Sequence, residues 1–305
     1  MTHILEIQYS SLTLSHAVDR AAANRFGVVD VSPHTLRWFR SSVISLINHL
    51  GDVEIGEVSP RDVAAWQKNQ VKQDVNEITA NSYLRGLKTL FSRLQRNGTI
   101  GHNPAQPIRP LPEANAGPKA IVELDYLLMR ESAACIRDVA ILDTLWSTGC
   151  RAEELIGMNI NKLEVWEEGS GVSAAILVKG KFQKKRWVYW KFEQAESLAA
   201  WVKERPTSKS PALFLTRARQ RFTDNGFTSL IRQIRVKAGV LENNTNPHAF
   251  RHAFAQRKLD EGHDIAYVSQ WLGHSSPEFT AKVYCVRSED MLRKRFFMNP
   301  NQTEK

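Results

Sequence analysis

Residues 101–112 carry four prolines (Pro104, Pro107, Pro110 and Pro112), and Pro118 follows. Proline fixes φ, removes a backbone donor and pushes the residue before it out of the helical region. Neither a helix nor a central strand can run through such a stretch, which is predicted to be extended and semi-rigid. It divides the 305 residues into two parts, each long enough to bury a core of its own. The expected organisation is a first domain over 1–105, a linker over 106–119 with the boundary near residue 115, and a second domain over 120–305.

The first part is read as helical throughout. Residues 12–25 form one segment, with Ala21, Ala22 and Ala23 inside it. Ser32-Pro33 opens a helix that carries Leu36, Phe39, Val43, Ile47 and Leu50 at helical spacing and stops at Gly51. Ser59-Pro60 opens another, through Val63, Trp66 and Val71. A serine oxygen accepts from a free first-turn N–H, and proline fits the first helical position, where no N–H is needed. Thr79 is the predicted cap of a fourth helix, with Leu84, Leu87, Leu90, Phe91 and Leu94 on one stripe and Asn97-Gly98 as its stop. Arg85, Lys88, Arg93 and Arg96 lie off that stripe. A charged face is ordinarily just solvated. In a chain of net charge +9 and pI near 9.5 it is also a candidate polyanion surface, and Arg85 and Lys88 are the expected DNA contacts.

The second part opens with helices predicted at 122–131 and 136–147, the latter stopped by Ser147-Thr148-Gly149. Arg151 follows at once, then Glu153, Glu154 and Leu155 in a new helix. An arginine at such a corner serves either as an ordinary cap or as an anion ligand. Residues 174–178 and 186–190 are β-prone runs around a polar turn, the one sheet that the sequence predicts. Lys179, Lys181, Lys184, Lys185 and Arg186 stand in or beside that turn with no acid among them. A solvated turn or a guarded edge strand explains them; so does a hairpin leaning into a DNA groove. A helix at 192–204 comes next. Residues 214–237 then hold six basic side chains against Asp224 alone, of which Arg217 and Arg219 are candidate phosphate contacts.

Asn246-Pro247 is a further helix start. His248 falls in its first turn, and Arg251 and His252 follow at i+3 and i+4, on one face. A helix start also presents free N–H groups and the positive end of the dipole, which suits a phosphate. A second helix runs to Leu272 and stops at Gly273, a residue fit for a left-handed cap. His274 lies just past the stop, and Tyr284 ten residues on, in a short polar–apolar segment. His248 and His252 have the spacing of zinc ligands, but the metalloprotease glutamate and a third ligand are missing, so no metal is expected. Taken alone, His252 reads as a structural histidine.

Phosphoryl transfer at a DNA backbone needs this set of groups. Arg151 and Arg251 can clamp the non-bridging oxygens. Tyr284 needs a base, and His248 can take its proton. Lys179 can protonate the leaving oxygen, and His274 can donate to a phosphoryl oxygen. No acidic cluster suited to magnesium accompanies them, so no cofactor is expected. Cys135, Cys150 and Cys285 form no disulfide framework and point to a reducing, cytoplasmic setting. No apolar run reaches membrane length, and no leader pattern opens the chain.

The stretches Thr148-Gly149-Cys150-Arg151-Ala152-Glu153-Glu154-Leu155, Val178-Lys179-Gly180-Lys181, His248-Ala249-Phe250-Arg251-His252, Leu272-Gly273-His274-Ser275 and Tyr284 together resemble the tyrosine recombinase (phage integrase) family over roughly residues 12–298. The resemblance implies a mainly α fold with a small antiparallel sheet. It implies an N-terminal helical, core-binding, SAM-like DNA-binding domain, and a C-terminal mixed α/β catalytic domain of tyrosine recombinase type ending in a tail helix. It implies a site-specific recombinase that forms a 3′-phosphotyrosine link without ATP or metal, acting on double-stranded target sites as a homotetramer. By that match Arg151, Lys179, His248, Arg251, His274 and Tyr284 carry the chemistry, and Glu154 steadies the site. Three departures stand out: Glu153 where a small residue is common, one extra residue between His274 and Tyr284, and Cys285 after the tyrosine. No arm-binding module is visible, which places the chain with the simple members. A type IB topoisomerase-like enzyme and a non-catalytic DNA-binding regulator of the same fold are the competing readings. Ser288 can cap a tail helix carrying Met291, Leu292, Phe296 and Phe297, which packs either on its own domain or on a neighbouring protomer.

Overall fold

A computed structural model describes residues 12–22, 31–112, 119–169, 171–180, 185–240, 245–274 and 276–284. The chain divides into two compact units, Met1–Asn115 and Ala116–Lys305.

The first unit is built from α1 (Leu14–Ala22), α2 (Pro33–Leu50), α3 (Pro60–Lys72) and α4 (Glu77–Arg96). Both Ser-Pro starts fall where expected. Ser32 Oγ accepts from the Thr35 N–H, and Ser59 and Asp62 form a reciprocal capping box. The cap of α4 is Asn76 rather than Thr79: Asn76 Oδ1 accepts from the Ile78 N–H at 2.8 Å, so the helix begins earlier than the apolar stripe suggests. Phe39, Leu46, Val63, Trp66, Leu84, Leu87, Leu90, Phe91 and Leu94 are buried together as its core. Burying each large apolar side chain contributes about 1.5–3 kcal/mol. The middle of the proline-rich stretch is tied down here. Asn81 Nδ2 donates to the Leu111 carbonyl, Leu111 N–H donates back to Asn81 Oδ1, and Gln67 Nε2 donates to the Arg109 carbonyl.

In the second unit the central element is α6 (Ile136–Thr148), buried on nearly every side. Around it lie α5 (Glu123–Glu131), α7 (Ala152–Gly157), α8 (Glu193–Glu204), α9 (Asp224–Lys237) and α10 (Pro247–Asp260). The sheet has three antiparallel strands in the order β1 (Leu163–Glu168), β2 (Gly171–Lys179) and β3 (Lys185–Lys191). The hairpin of β2 and β3 meets the expectation, with Ile176 opposite Val188 and Lys179 opposite Lys185. The strand β1, in register with β2 from Leu163↔Ile176 to Glu168↔Gly171, adds a third strand to the hairpin that the sequence predicts. Trp190, on the buried face of β3, donates its Nε1–H to Thr144 Oγ1 at 3.0 Å and pins the sheet to α6. A smaller apolar cluster holds α10, α11 (Ile265–Leu272) and α12 (Pro277–Tyr284) together through Phe254, Leu259, Val268, Leu272 and Tyr284. The mainly helical fold with one small antiparallel sheet is the expected class. The segments 23–30 and 288–305, parts of the first expected helix and the expected tail helix, lie outside the described residues.

Candidate active site

Two helix stops and one helix start bring the site together. The first stop is Gly149, which leaves α6 in the left-handed region at φ 56°. A Cβ there would fall 2.7 Å from Phe254 Cδ1 on α10, so the turn demands glycine for its backbone and for its space. Two residues later Arg151 caps α7, and Glu154 returns its carboxylate to both ends of that arginine. Oε2 accepts from the Arg151 backbone N–H at 2.8 Å, and Oε1 accepts from Nη1 at 2.9 Å. The second stop is Gly273, at φ 65° after α11; a Cβ there would meet Arg186 Cδ at 2.6 Å. It delivers His274.

The helix start is Asn246-Pro247, where Asn246 Oδ1 accepts from the Ala249 N–H at 3.0 Å. One turn in, Arg251 is buried and reaches across both stops. Its Nη1 donates to the Gly149 carbonyl at 2.9 Å and its Nη2 to the Leu272 carbonyl. Arg186 of β3 makes a parallel bridge: Nη2 donates to Glu154 Oε2 at 2.7 Å and Nη1 to the Trp271 carbonyl. Two buried guanidinium groups thus stitch the Gly149–Arg151 turn to the Gly273–His274 turn.

Tyr284 ends α12, buried to 7% exposure. Its hydroxyl lies 2.8 Å from His252 Nδ1, and its ring stacks on His274 at 6.4 Å between centroids and an interplanar angle of 10°. His274 Nδ1 is 2.7 Å from Thr280 Oγ1. When the threonine hydroxyl donates there, Nε2–H of His274 is left as a free donor. No hydrogen bond joins His248 to Tyr284 among the described residues. The imidazole on the tyrosine is His252, which the sequence alone gave a structural role. The available signal was its i+4 spacing from His248.

The electrostatics are those of a cationic, partly dry pocket. Burial, then the charges of Arg151 and Arg186, push Arg251 down to about 9, still protonated at neutral pH. Burial raises Tyr284 above the ordinary tyrosine value, against the pull of Arg251 and Arg151. Burial would raise Glu154 too, but the Arg186 charge, the Arg151 N–H and the Arg151 charge hold it below the usual carboxylate range. Burial and neighbouring positive groups lower His248, and take His252 and His274 to about 4. Beside Arg151, burial pushes the Cys150 thiol up to about 11, which leaves it unreactive.

The histidine shifts predict an acid sensitivity. An unfolded histidine titrates near 6.5, whereas His252 and His274 hold fewer protons than that when folded. Stability is therefore complete above pH 6.5 and falls as pH drops toward 4, the unfolded chain binding the extra protons. With both rings only half-buried and coupled, the joint loss is about 1–3 kcal/mol. Urea melts of wild type and a His252→Gln/His274→Gln variant between pH 7.5 and 4.5 test it; parallel acid losses in the two proteins would refute it.

The remaining expected residues are more scattered. Lys179 is exposed at the end of β2, with no hydrogen bond or ion pair to the cluster among the described residues. Arg85 is exposed and Lys88 half-buried on α4, while Arg93 turns in to the Ala21 carbonyl. Arg217 and Arg219 project from a tight turn closed by Thr216 N–H donating to the Gln220 carbonyl, with Arg219 at φ 58°. Arg221, counted with them as basic surface, faces inward instead, bonding the Ile156 and Met158 carbonyls and Asn159 Oδ1. Lys181 and Lys184 lie outside the described residues.

Comparison with known proteins fits this geometry. Residues 122–290 match the Phage integrase family, and residues 35–112 match the Phage integrase N-terminal domain. The chain is 29% identical over 266 residues to Tyrosine recombinase XerC of Thermodesulfovibrio yellowstonii, covering 83% of this chain and 85% of that protein. The Tn1549 transposon integrase, solved in complex with a circular intermediate DNA, has the same fold at a TM-score of 0.71 and 18% identity, covering 94% of this chain and 99% of that one. A lambda integrase tetramer bound to a Holliday junction has a TM-score of 0.69 at 16% identity, covering 92% and 80%.

Proposed function

The chain belongs to the phage integrase family and is a site-specific tyrosine recombinase, and we propose that Arg151, Lys179, His248, Arg251, His274 and Tyr284 carry its DNA cleavage and rejoining. One observation carries the assignment: a tyrosine hydroxyl on a neutral imidazole, in the pocket where Arg251 is fixed to backbone carbonyls and Arg151 to the Glu154 carboxylate. Tyr284 Oη attacks the scissile phosphorus, the bond to the 5′ oxygen breaks, and a 3′-phosphotyrosine link forms. His252 Nδ1 is within reach of the phenolic proton and takes it, a role that the sequence alone gave to His248. The incoming phosphate charge raises the imidazole pKa and so favours the transfer. Arg151 and Arg251 hold the two non-bridging oxygens, and His274 Nε2 and His248 add donors. Donors already oriented need little rearrangement as charge develops, which is why they lower the barrier.

Lys179 gives the proton to the departing 5′ oxygen. It stands exposed at the strand end, so DNA must bring that oxygen to it. Lys179→Ala is expected to cut cleavage of ordinary DNA by about 10²-fold, within the range for one acid–base group. A substrate with sulfur at the 5′ leaving position needs no proton and should restore most of that rate. Equal failure on both substrates would move the acid elsewhere, to Lys181 first.

Residues 1–105 form the DNA-binding helical domain in this reading, residues 106–119 the linker and 120–305 the catalytic domain. Arg85, Lys88, Lys181, Lys184, Arg217 and Arg219 contact the backbone. The working form is a cytoplasmic homotetramer on two double-stranded sites, a state that the tetrameric lambda integrase on a Holliday junction supports. Sequencing the DNA that wild-type protein retains after SDS treatment tests the function and yields the target. DNA bound but never covalently held would mark a regulator that has only the fold.

A further inference from the structure

Within the reading above, we infer that Arg186 is a positioning residue for strand cleavage, keeping Arg151 and His274 aimed at the scissile phosphate. In sequence it is one of five basic residues around a hairpin and reads as a DNA contact. In the structure it points the other way. Its side chain is 10% exposed and is committed to Glu154 and to the Trp271 carbonyl.

Glu154 explains the need for it. The carboxylate is 2% exposed and sits between two arginines, bonded to Arg151 through Oε1 and to Arg186 through Oε2. A buried carboxylate with one cationic partner draws that partner into a two-pronged pair. Without Arg186 the partner is Arg151, whose side chain is 32% exposed and open toward the site. Its fork would close on Glu154, and its charge would be cancelled locally. With Arg186 present, Glu154 is neutralised from behind, and Arg151 keeps donors and net charge for a phosphate.

The second arm acts on His274. The Trp271 carbonyl accepts from Arg186 Nη1 three residues before that histidine. The aliphatic stem of Arg186 fills the space where a side chain at residue 273 would lie. One side chain therefore sets the entrance of α7 and the exit of α11. Stability alone is a weak reason for the arrangement: buried ion pairs are often replaceable by apolar groups at no loss, and Arg186 Nε is buried without a partner among the described residues.

The test is single-turnover cleavage by the full chain at saturating protein, on the DNA recovered covalently from wild type. One substrate has the ordinary phosphodiester and the other a neutral methylphosphonate at the scissile position. A neutral phosphorus develops less negative charge and depends less on the arginine clamp. Arg186→Gln is expected to slow phosphodiester cleavage by about 10²-fold, the scale of a small misplacement of catalytic groups. DNA affinity should stay within about threefold, since the Arg186 guanidinium is committed to Glu154 and the Trp271 carbonyl rather than offered to a phosphate. On the methylphosphonate the slowing should shrink to under about tenfold, as it should for Arg151→Ala. Arg186→Lys, which keeps charge but not the fork, should fall between. If Arg186→Gln does not fold, Arg186→Lys, read on the same two substrates, is held to the same relief of its smaller slowing. Equal slowing on both substrates, with Arg151→Ala relieved, would overturn the proposal and leave Arg186 structural. No relief for Arg151→Ala would overturn it together with the role given to Arg151.

Discussion

Tyr284→Phe is expected to bind DNA as wild type does and to form no covalent adduct at all. The substitution removes one oxygen and keeps the ring that packs among Phe254, Leu259, Val268 and Leu272. His252 Nδ1 loses its partner, but the imidazole is half-buried and water can replace the hydroxyl, so the stability cost is about 1 kcal/mol or less. The proposed DNA contacts are basic side chains elsewhere, so affinity should be unaffected. Only the proposed attacking atom is gone, and among the described residues the nearby Thr280 hydroxyl is turned to His274. Denaturing gels of protein with labelled DNA, beside a gel-shift titration and a melting curve, separate the effects. An SDS-resistant complex from this variant would show that another residue is the nucleophile.

Arg251→Ala is expected to have the next largest effect, and to act twice. Losing one preorganised charge-stabilising donor slows cleavage by about 10²–10³-fold. The same change leaves the Gly149 and Leu272 carbonyls without their donors in a buried setting, at about 1–3 kcal/mol for each group left unsatisfied. The variant should therefore melt several degrees lower. Arg251→Lys distinguishes the roles, because lysine restores the charge but cannot serve two carbonyls and a phosphate with one ammonium. It should recover little of the cleavage rate. Cleavage and DNA affinity falling by one common factor in Arg251→Ala would mean that the arginine only holds DNA.

What was legible in the sequence is what depends on near neighbours. Ser32-Pro33, Ser59-Pro60 and Asn246-Pro247 start helices because capping is settled within three or four residues. Gly149 and Gly273 stop helices because a left-handed residue is a local demand. These punctuation marks fix where Arg151, His248, Arg251 and His274 leave the backbone, so the cluster of charge could be named from the chain alone. The strand β1 could not. Leu163–Glu168 mixes three apolar and three acidic residues without regular alternation, and its partner for pairing, β2, decides its state.

Direction was the other thing that only tertiary structure settled. Helical spacing puts His248 and His252 on one face, but α12 packing against α11 decides which of them meets Tyr284. Counting basic residues treats Arg186 and Arg221 like Lys179 and Arg217. The fold turns the first two inward, onto a buried carboxylate and onto the Ile156 and Met158 carbonyls, and leaves the other two in water. A guanidinium carries the same charge in either place. Whether it faces a phosphate or a carbonyl depends on which unpaired groups distant segments bring within its reach, because a buried polar group left unpaired costs more than an exposed charge gains.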